Sequence, residues 1–271
     1  MLGRTLVRRL SDQEVIATDL PELDIASARD VRAAVQALHP DAIVHCAAMT
    51  AVDRCETESD LAYRVNAIGC ANVASACQRV GARLVAISTD YVFGGHGERP
   101  FHEWDPTEPR TVYGASKLAG EDAVRAHCPD HAILRTAWLY GPGGPSFLHT
   151  MLKLAAEPGA PIKIVADQIG NPTSTDAVAD CIRWVLEHSI VGVFHASCEG
   201  DASWFDFAQA IFEHRSAVRE RVRCTTAEYP RPAPRPPNSR LEKRALRLAG
   251  LGPMPHWRDT LGRFFAEHPD L

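Results

Sequence analysis

Arg83-Leu-Val-Ala-Ile-Ser-Thr89 decides the fold. An almost unbroken apolar run that ends in two hydroxyls reads as a strand covered on both faces, as a parallel sheet packed between helices requires. Working outward, similar runs are expected as strands at 15–19, 42–48, 132–139, 162–166 and 191–196. Between them, residues 28–38, 59–80, 112–127 and 174–188 carry helical apolar spacing. Strands regularly separated by helices imply right-handed crossovers. The class is therefore α/β, a doubly wound parallel sheet.

A chain of 271 residues has room for one large α/β domain with a smaller appendage. The net charge is -5, and no region gathers Lys and Arg into a stripe that could follow phosphates, which argues against nucleic acid as a partner. The apolar runs are strand-sized, too short to span a bilayer, and Met1 to Leu10 has no apolar core of signal-peptide length. A cytoplasmic protein is expected. The eight cysteines form no C-x-x-C pair, so a zinc knuckle is not indicated; they read as small buried hydrophobes in a reducing compartment. After Tyr140 the character changes. Loops fall at 141–145 and 158–161, and Tyr229-Pro-Arg-Pro-Ala-Pro-Arg-Pro-Pro237 can be neither helix nor central strand. Two short helices, at 241–249 and 257–267, close the chain. Residues 1–140 are assigned to a dinucleotide-binding domain of Rossmann type, and 141–271 to a smaller substrate lobe interleaved with the main sheet.

The chemistry is carried by a few positions. Asp19 is expected to end the second strand of the dinucleotide fold, where an acid accepts hydrogen bonds from the adenosine ribose; a solvated turn residue reads the same way. Gly3 fits the last glycine of a phosphate-binding loop. Tyr113 and Lys117 are spaced i, i+4, so on a helix both side chains reach one cavity. A ketone that accepts hydride becomes an alkoxide and must be protonated. A phenol can do this if a nearby ammonium lowers its pKa. A surface Tyr-Lys pair would have the same spacing. Thr89, at a strand's carboxyl end, is where a hydroxyl can polarise a carbonyl. Ala47 and Ala48 are small enough for a cofactor to approach the backbone. Asn66 is a polar residue in an apolar helical stretch, either functional or a buried structural amide.

These residues resemble the extended short-chain dehydrogenases, and within them the dTDP-4-dehydrorhamnose reductase branch. The similar stretches are Ala47 to Asp53, Ser88 to Phe93, Tyr113 to Glu121, Arg135 to Tyr140, Asp167 to Thr173 and Arg235 to Leu241. They cover nearly the whole chain in the family's order. The resemblance implies that NADH or NADPH delivers hydride to C4 of the 4-keto sugar in dTDP-4-dehydro-L-rhamnose. It implies that Tyr113 protonates the alkoxide, that Lys117 tunes Tyr113 and holds the nicotinamide ribose, and that Thr89 orients the carbonyl. It places Asp24 and Ile25 against adenine, and Ala47, Ala48, Met49 and Thr50 along the cofactor. Asp90 and Trp138 fall at substrate contacts, although Trp138 also reads as a core indole. Arg231 and Arg235 would clamp the diphosphate; a solvated loop is an equal reading for Arg231.

Two rival functions share the fold. A nucleotide-sugar dehydratase or epimerase would have a similar Tyr-Lys pair, but dehydratases place Asp-Glu after the active-site Thr, and here Asp90-Tyr91 follows. A non-catalytic subunit resembling the regulatory subunit of methionine adenosyltransferase is opposed by intact Thr89, Tyr113 and Lys117. Asp19 would repel a 2'-phosphate and favour NADH, yet relatives use both cofactors. Some relatives form magnesium-bridged homodimers, but no acidic cluster here can be assigned to a metal. Finally, the sequence opens on the end of a glycine turn and a helix. The first strand and most of the glycine loop are expected to lie upstream of Met1.

Overall fold

The computed structural model describes residues 1–270. In chain order, the first half runs α1 (Leu2–Arg9), α2 (Ala28–Leu38), β1 (Ala42–His45), α3 (Val52–Thr57), α4 (Ser59–Tyr63), α5 (Gly69–Val80), β2 (Arg83–Thr89), α6 (Val112–His127), β3 (His131–Thr136) and β4 (Leu139–Tyr140). The second half runs α7 (Phe147–Ala156), β5 (Ile162–Val165), β6 (Ile169–Gly170), β7 (Thr173–Ser174), α8 (Thr175–His188), β8 (Gly192–His195), β9 (Ala202–Ser203), α9 (Trp204–His214), β10 (Arg221–Cys224), α10 (Arg244–Leu248) and α11 (Trp257–Glu267).

The main sheet has four parallel strands in the order β1-β2-β3-β8. Strand alternation sends successive side chains to opposite faces, and each face has its own core. Leu84, Ala86 and Ile133 pack against Val31 and Val35 of α2, Val73 and Cys77 of α5, and Val124 of α6. Val85, Ala132 and Leu134 face the other way, into a larger core with Leu2 and Leu6 of α1, Ile182 of α8, Phe207 of α9 and Trp257 of α11. The sheet is thus covered on both sides, the Rossmann-like arrangement expected. β8 comes from the second half of the chain and pairs with β3.

Several expectations need correction. Residues 15–19 form no strand; Val15 and Ile16 are exposed on an irregular segment. The reason is a missing ladder partner: β1 pairs with β2 on one side, and no described strand pairs with its other side. The chain enters α1 directly at Leu2. The stretch 132–139 is broken after Thr136 because Trp138 has φ of 49°, outside the range a strand allows. Residues 162–165 do form a strand, but it pairs with β10 in a separate two-stranded sheet. The helix expected over 59–80 is continuous but takes a π-helical turn at Arg64–Ile68, a feature that often marks functional positions. Residues 112–127 and 257–267 are helical as expected, and 229–237 forms neither helix nor strand. All eight cysteines are free, and seven are buried. No described helix is long and apolar enough to cross a membrane.

Candidate active site

The carboxyl end of β2 and the start of α6 meet at Thr89 and Tyr113. Thr111 caps α6 by accepting from the Gly114 amide at 3.0 Å, so Tyr113 lies in the first turn. A Cβ at Gly114 would stand 2.2 Å from the Tyr91 carbonyl oxygen, and one at Gly120 would stand 2.3 Å from that of Asn66. Glycine at these two positions lets α6 press against the turn after β2 and against the π-helical turn. Tyr113 is buried and meets Tyr91 edge-on, with ring centroids 5.4 Å apart. Burial pushes its phenol well above the ordinary range, and the nearby Thr89 hydroxyl opposes that.

Lys117 is on the same face of α6, as the i, i+4 spacing requires. Its ammonium donates to the Ile87 carbonyl at 2.7 Å. At the end of β1, burial and then this cation hold His45 down to about 3. Burial pushes Cys46 up to about 12, with Lys117 opposing. The strongest influences on Tyr113 are burial, Thr89, Asp90 and Cys55. The lysine is therefore directed at the β1–β2 ends more than at the phenol. Asp90 is buried, and its carboxyl is pushed up to about 6 by burial, against the opposing Ser239 and Thr89 hydroxyls.

Asn66, left open by sequence reasoning, is fully buried in the π-helical turn. Its Oδ1 accepts from the Met49 amide at 2.8 Å, and its Nδ2 donates to the Met49 carbonyl at 3.1 Å and to Ser116 Oγ at 3.0 Å. It therefore fastens the 47–50 loop to α6. Glu121, one turn beyond Lys117, accepts from Ser88 Oγ at 2.6 Å, from Arg135 at 2.8 and 2.7 Å, and from Arg125 at 2.7 Å. Burial alone would raise its pKa, but Arg135 outweighs that and the net shift is downward.

The proline-rich segment reaches the site through a residue to which the sequence assigned no role. Asp53, at the start of α3, accepts from Arg235 at 2.9 Å, from Arg231 at 2.8 Å and from the Ala233 amide at 3.1 Å. Arg235 bears on Tyr91, as do Asp90 and Asp53. Only the tertiary fold reveals this cluster, because its partners come from opposite ends of the chain. Trp138 stacks on Trp204 with ring centroids 3.4 Å apart and planes 6° from parallel. Trp204 in turn donates to Gln168 Oε1 at 3.0 Å. A tryptophan at φ 49° is a strained conformation of the kind that gathers at ligand sites.

The nicotinamide end of a dinucleotide fits the residues present. Ala47 to Thr50 form a partly exposed strip of mostly small side chains beyond β1, beside the Lys117 cation. The adenosine end is not gathered in the same way. Asp19 is exposed, and its carboxylate accepts from the Leu20 amide at 2.8 Å. Gly3 is exposed in the first turn of α1. Asp24 is exposed and accepts from the Ala26 amide at 2.9 Å. Ile25 is half-buried against Gly69 of α5. Among the described residues, no group of three or more His, Cys, Asp or Glu side chains is placed to hold a metal ion.

Comparison with known proteins places these features in a lineage. Residues 1–269 match the family model described as the RmlD substrate binding domain. The chain is similar to dTDP-4-dehydrorhamnose reductase of Streptomyces griseus, with 43% identity over 98% of this chain and 90% of the relative. It is equally similar to the spore coat polysaccharide biosynthesis protein SpsK of Bacillus subtilis, with 43% identity over 98% and 94%. Among solved structures, dTDP-4-dehydrorhamnose reductase from Bacillus anthracis in complex with NADP superposes with a TM-score of 0.96 at 41% identity, covering 98% of this chain and 95% of the other.

Proposed function

Since the chain belongs to the RmlD substrate-binding-domain family, we propose that it reduces the 4-keto group of dTDP-4-dehydro-L-rhamnose to give dTDP-L-rhamnose. The reduced nicotinamide, NADH or NADPH, supplies the hydride. The observation that carries the reading is the convergence of Thr89, Tyr113 and Lys117 at the carboxyl end of β2, beside the open strip 47–50.

The roles follow from the chemistry of each group. Thr89 donates to the carbonyl oxygen and draws charge toward it, so charge developing on that oxygen meets a fixed donor. Tyr113 gives its proton to the same oxygen as it becomes an alkoxide; its burial keeps it protonated until then. Lys117 holds the nicotinamide ribose hydroxyls, and Asn66 fixes the 47–50 loop against α6. Arg235 and Arg231 receive the diphosphate, for which a planar guanidinium fork is well matched. Asp90 and Trp138 line the sugar. On this reading the enzyme works in the cytoplasm on a soluble dTDP-sugar, independently of nucleic acid. Tyr91, half-buried and edge-on to Tyr113, stands where a dehydratase would need its second acid.

The test is loss of absorbance at 340 nm when purified protein is mixed with NADPH or NADH and dTDP-4-dehydro-L-rhamnose. Consumption with that sugar, and none with dTDP-glucose or UDP-galactose, supports the reading. Absence of consumption with either cofactor removes it.

A further inference from the structure

The short helix α3 carries two carboxylates, Asp53 and Glu56, whose i, i+3 spacing makes them neighbours on its surface. Each holds a different part of the site. Asp53 accepts from the side chains of Arg231 and Arg235 and from the Ala233 amide. Glu56 Oε1 accepts from the Val112 amide at 2.9 Å. That amide is the first of α6, one of the helix-start donors that no carbonyl within the helix can satisfy, and Tyr113 is the next residue. Between the two carboxylates, Cys55 is fully buried and clusters with Tyr113 and Ala62. On the exposed side, Arg54 donates to both Glu58 oxygens at 2.7 Å, which closes the end of α3.

The segment that Asp53 holds is stiff and anchored at both ends. Five of residues 229–237 are proline, which fixes φ and favours an extended chain. Just before it, Thr226 donates to Asp167 through its amide at 2.9 Å and through its hydroxyl at 2.7 Å. At its end, the Ile169 amide donates to the Pro237 carbonyl at 2.9 Å, and the Ser239 amide donates to the Ile169 carbonyl at 2.7 Å. Both ends are therefore tied to residues 167–169, while Asp53 holds the middle from the other half of the chain. Ala233 is fully buried, so water does not compete for the bond between its amide and Asp53.

We propose that Asp53 and Glu56 are positioning residues, a two-point clamp through which α3 sets the distance between the arginines of the proline-rich segment and Tyr113. The proposal rests on reading Arg235 as a diphosphate ligand and Tyr113 as the proton donor of the reduction. A sugar nucleotide has to seat its diphosphate and its keto carbon together, and its covalent bonds limit how far apart the two can lie. The groups that receive them stand on segments from opposite halves of the chain. One helical turn is a rigid spacer between such segments, and a misplacement of about 1 Å at the reacting carbon can cost about 100-fold in rate. The two carboxylates divide the work. Asp53 acts on the anchored end of the ligand, so its loss is read in KM; Glu56 acts on the reacting end through the backbone of α6, so its loss is read in kcat. A charge is needed at Asp53 because two guanidiniums face it. At Glu56 an oxygen that reaches the Val112 amide is enough.

The experiment combines steady-state kinetics of the full chain, with NADPH and dTDP-4-dehydro-L-rhamnose, and hydrogen–deuterium exchange without ligand. Asp53→Asn keeps an oxygen for the Ala233 amide but loses the charge that faces both arginines. It should raise KM for the sugar nucleotide about tenfold, with kcat within about twofold. Glu56→Ala should lower kcat by about 10- to 100-fold with KM nearly unchanged. Glu56→Gln, whose amide oxygen still accepts from Val112, should restore most of that rate. Equal losses in Glu56→Ala and Glu56→Gln overturn the clamp. So does a lower KM in Asp53→Asn, which would show a carboxylate that competes with the diphosphate for the arginines instead of placing them. In the exchange measurement, the prolines leave amides in 229–237 only at Tyr229, Arg231, Ala233 and Arg235. The segment should keep a slow amide, that of Ala233, in the wild type and in Glu56→Ala, and lose it in Asp53→Ala. A wild-type segment that exchanges throughout at the rate of a free peptide overturns the proposal, whether or not any variant folds. If the wild type consumes no NADPH, the reductase reading fails, while the exchange measurement still decides whether Asp53 holds the segment.

Discussion

Asp53 Oδ1 accepts a 2.9 Å hydrogen bond from Arg235, a residue 182 positions away. With Arg231 on Oδ2, one carboxylate orients both arginines of the proline-rich segment. Burial would raise the Asp53 pKa, but the Ala233 amide and Arg235 outweigh it and the carboxyl is held below its usual range. Both guanidiniums are thereby held against a single carboxylate.

Replacing Arg235 by Ala is expected to weaken dTDP binding by about tenfold to a hundredfold, the loss of a forked, charge-assisted contact. Replacing it by Lys keeps the charge without the fork and should fall between. Calorimetric titration with dTDP measures both. Unchanged affinity in Arg235→Ala would take the proline-rich segment out of the diphosphate site.

Tyr113→Phe is expected to lower kcat by about 100- to 10,000-fold, the usual contribution of a positioned acid, with NADPH affinity nearly intact. The ring still packs against Tyr91, so the pocket should keep its shape. Stopped-flow rates and fluorescence titration of NADPH separate the two effects. A near-normal rate would show that another group protonates the product.

Glu121 and Arg135 form a buried pair, at most 3% exposed on either side chain. Arg135→Met leaves the carboxylate with Ser88 and Arg125 only. Removing one partner of a buried pair costs about 3–5 kcal/mol, which for a chain of this size means a fall in Tm on the order of 10 °C. The double change Glu121→Leu with Arg135→Met should recover most of it, since neither charge is then stranded. A calorimetric scan of the three variants tests this; a mild single variant would mean that water or Arg125 compensates.

Legibility in the sequence depended on the range over which each feature is determined. β2 reads directly from Arg83 to Thr89 because both faces are buried, and α6 reads from Val112 to His127 because Thr111 caps it. Tyr113 and Lys117 share a face by helical spacing alone. Residues 15–19 have a strand's composition, yet a strand exists only with a partner, and none is formed. The helices α7 and α9 went unread, although Ser203 and Asp206 form a capping box at the start of α9, a signal open to a sequence reader. Nothing local marks the bond between Asp53 and Arg235, or the stack of Trp138 on Trp204, because each is made by chain segments that meet only in three dimensions.

His195, at the end of β8, is fully buried. Its Nδ1 lies 2.9 Å from the Glu242 carbonyl, and its amide donates to Glu103 Oε1 at 3.2 Å. Burial, and then the Arg135 cation, hold the imidazole down to about 3. A histidine with a depressed folded pKa stays neutral in the native protein, whereas the unfolded chain protonates near 6.5. The stability tied to its neutral form is therefore fully present above about 6.5 and is lost progressively as pH falls toward about 3. His45 is depressed in the same direction and adds to the slope, while Asp90, raised to about 6, opposes it between about pH 4 and 6. His195→Asn retains a donor for the Glu242 carbonyl and removes the titration. Its Tm is expected to be lower than wild type at pH 8, because the amide fills less of the buried site. The gap should narrow by pH 4.5, where the wild type carries the cost of a neutral histidine and the variant does not. Thermal melts of both proteins at half-unit steps of pH decide it. A gap that stays constant from pH 8 to 4.5 would mean that His195 is not a source of the acid sensitivity.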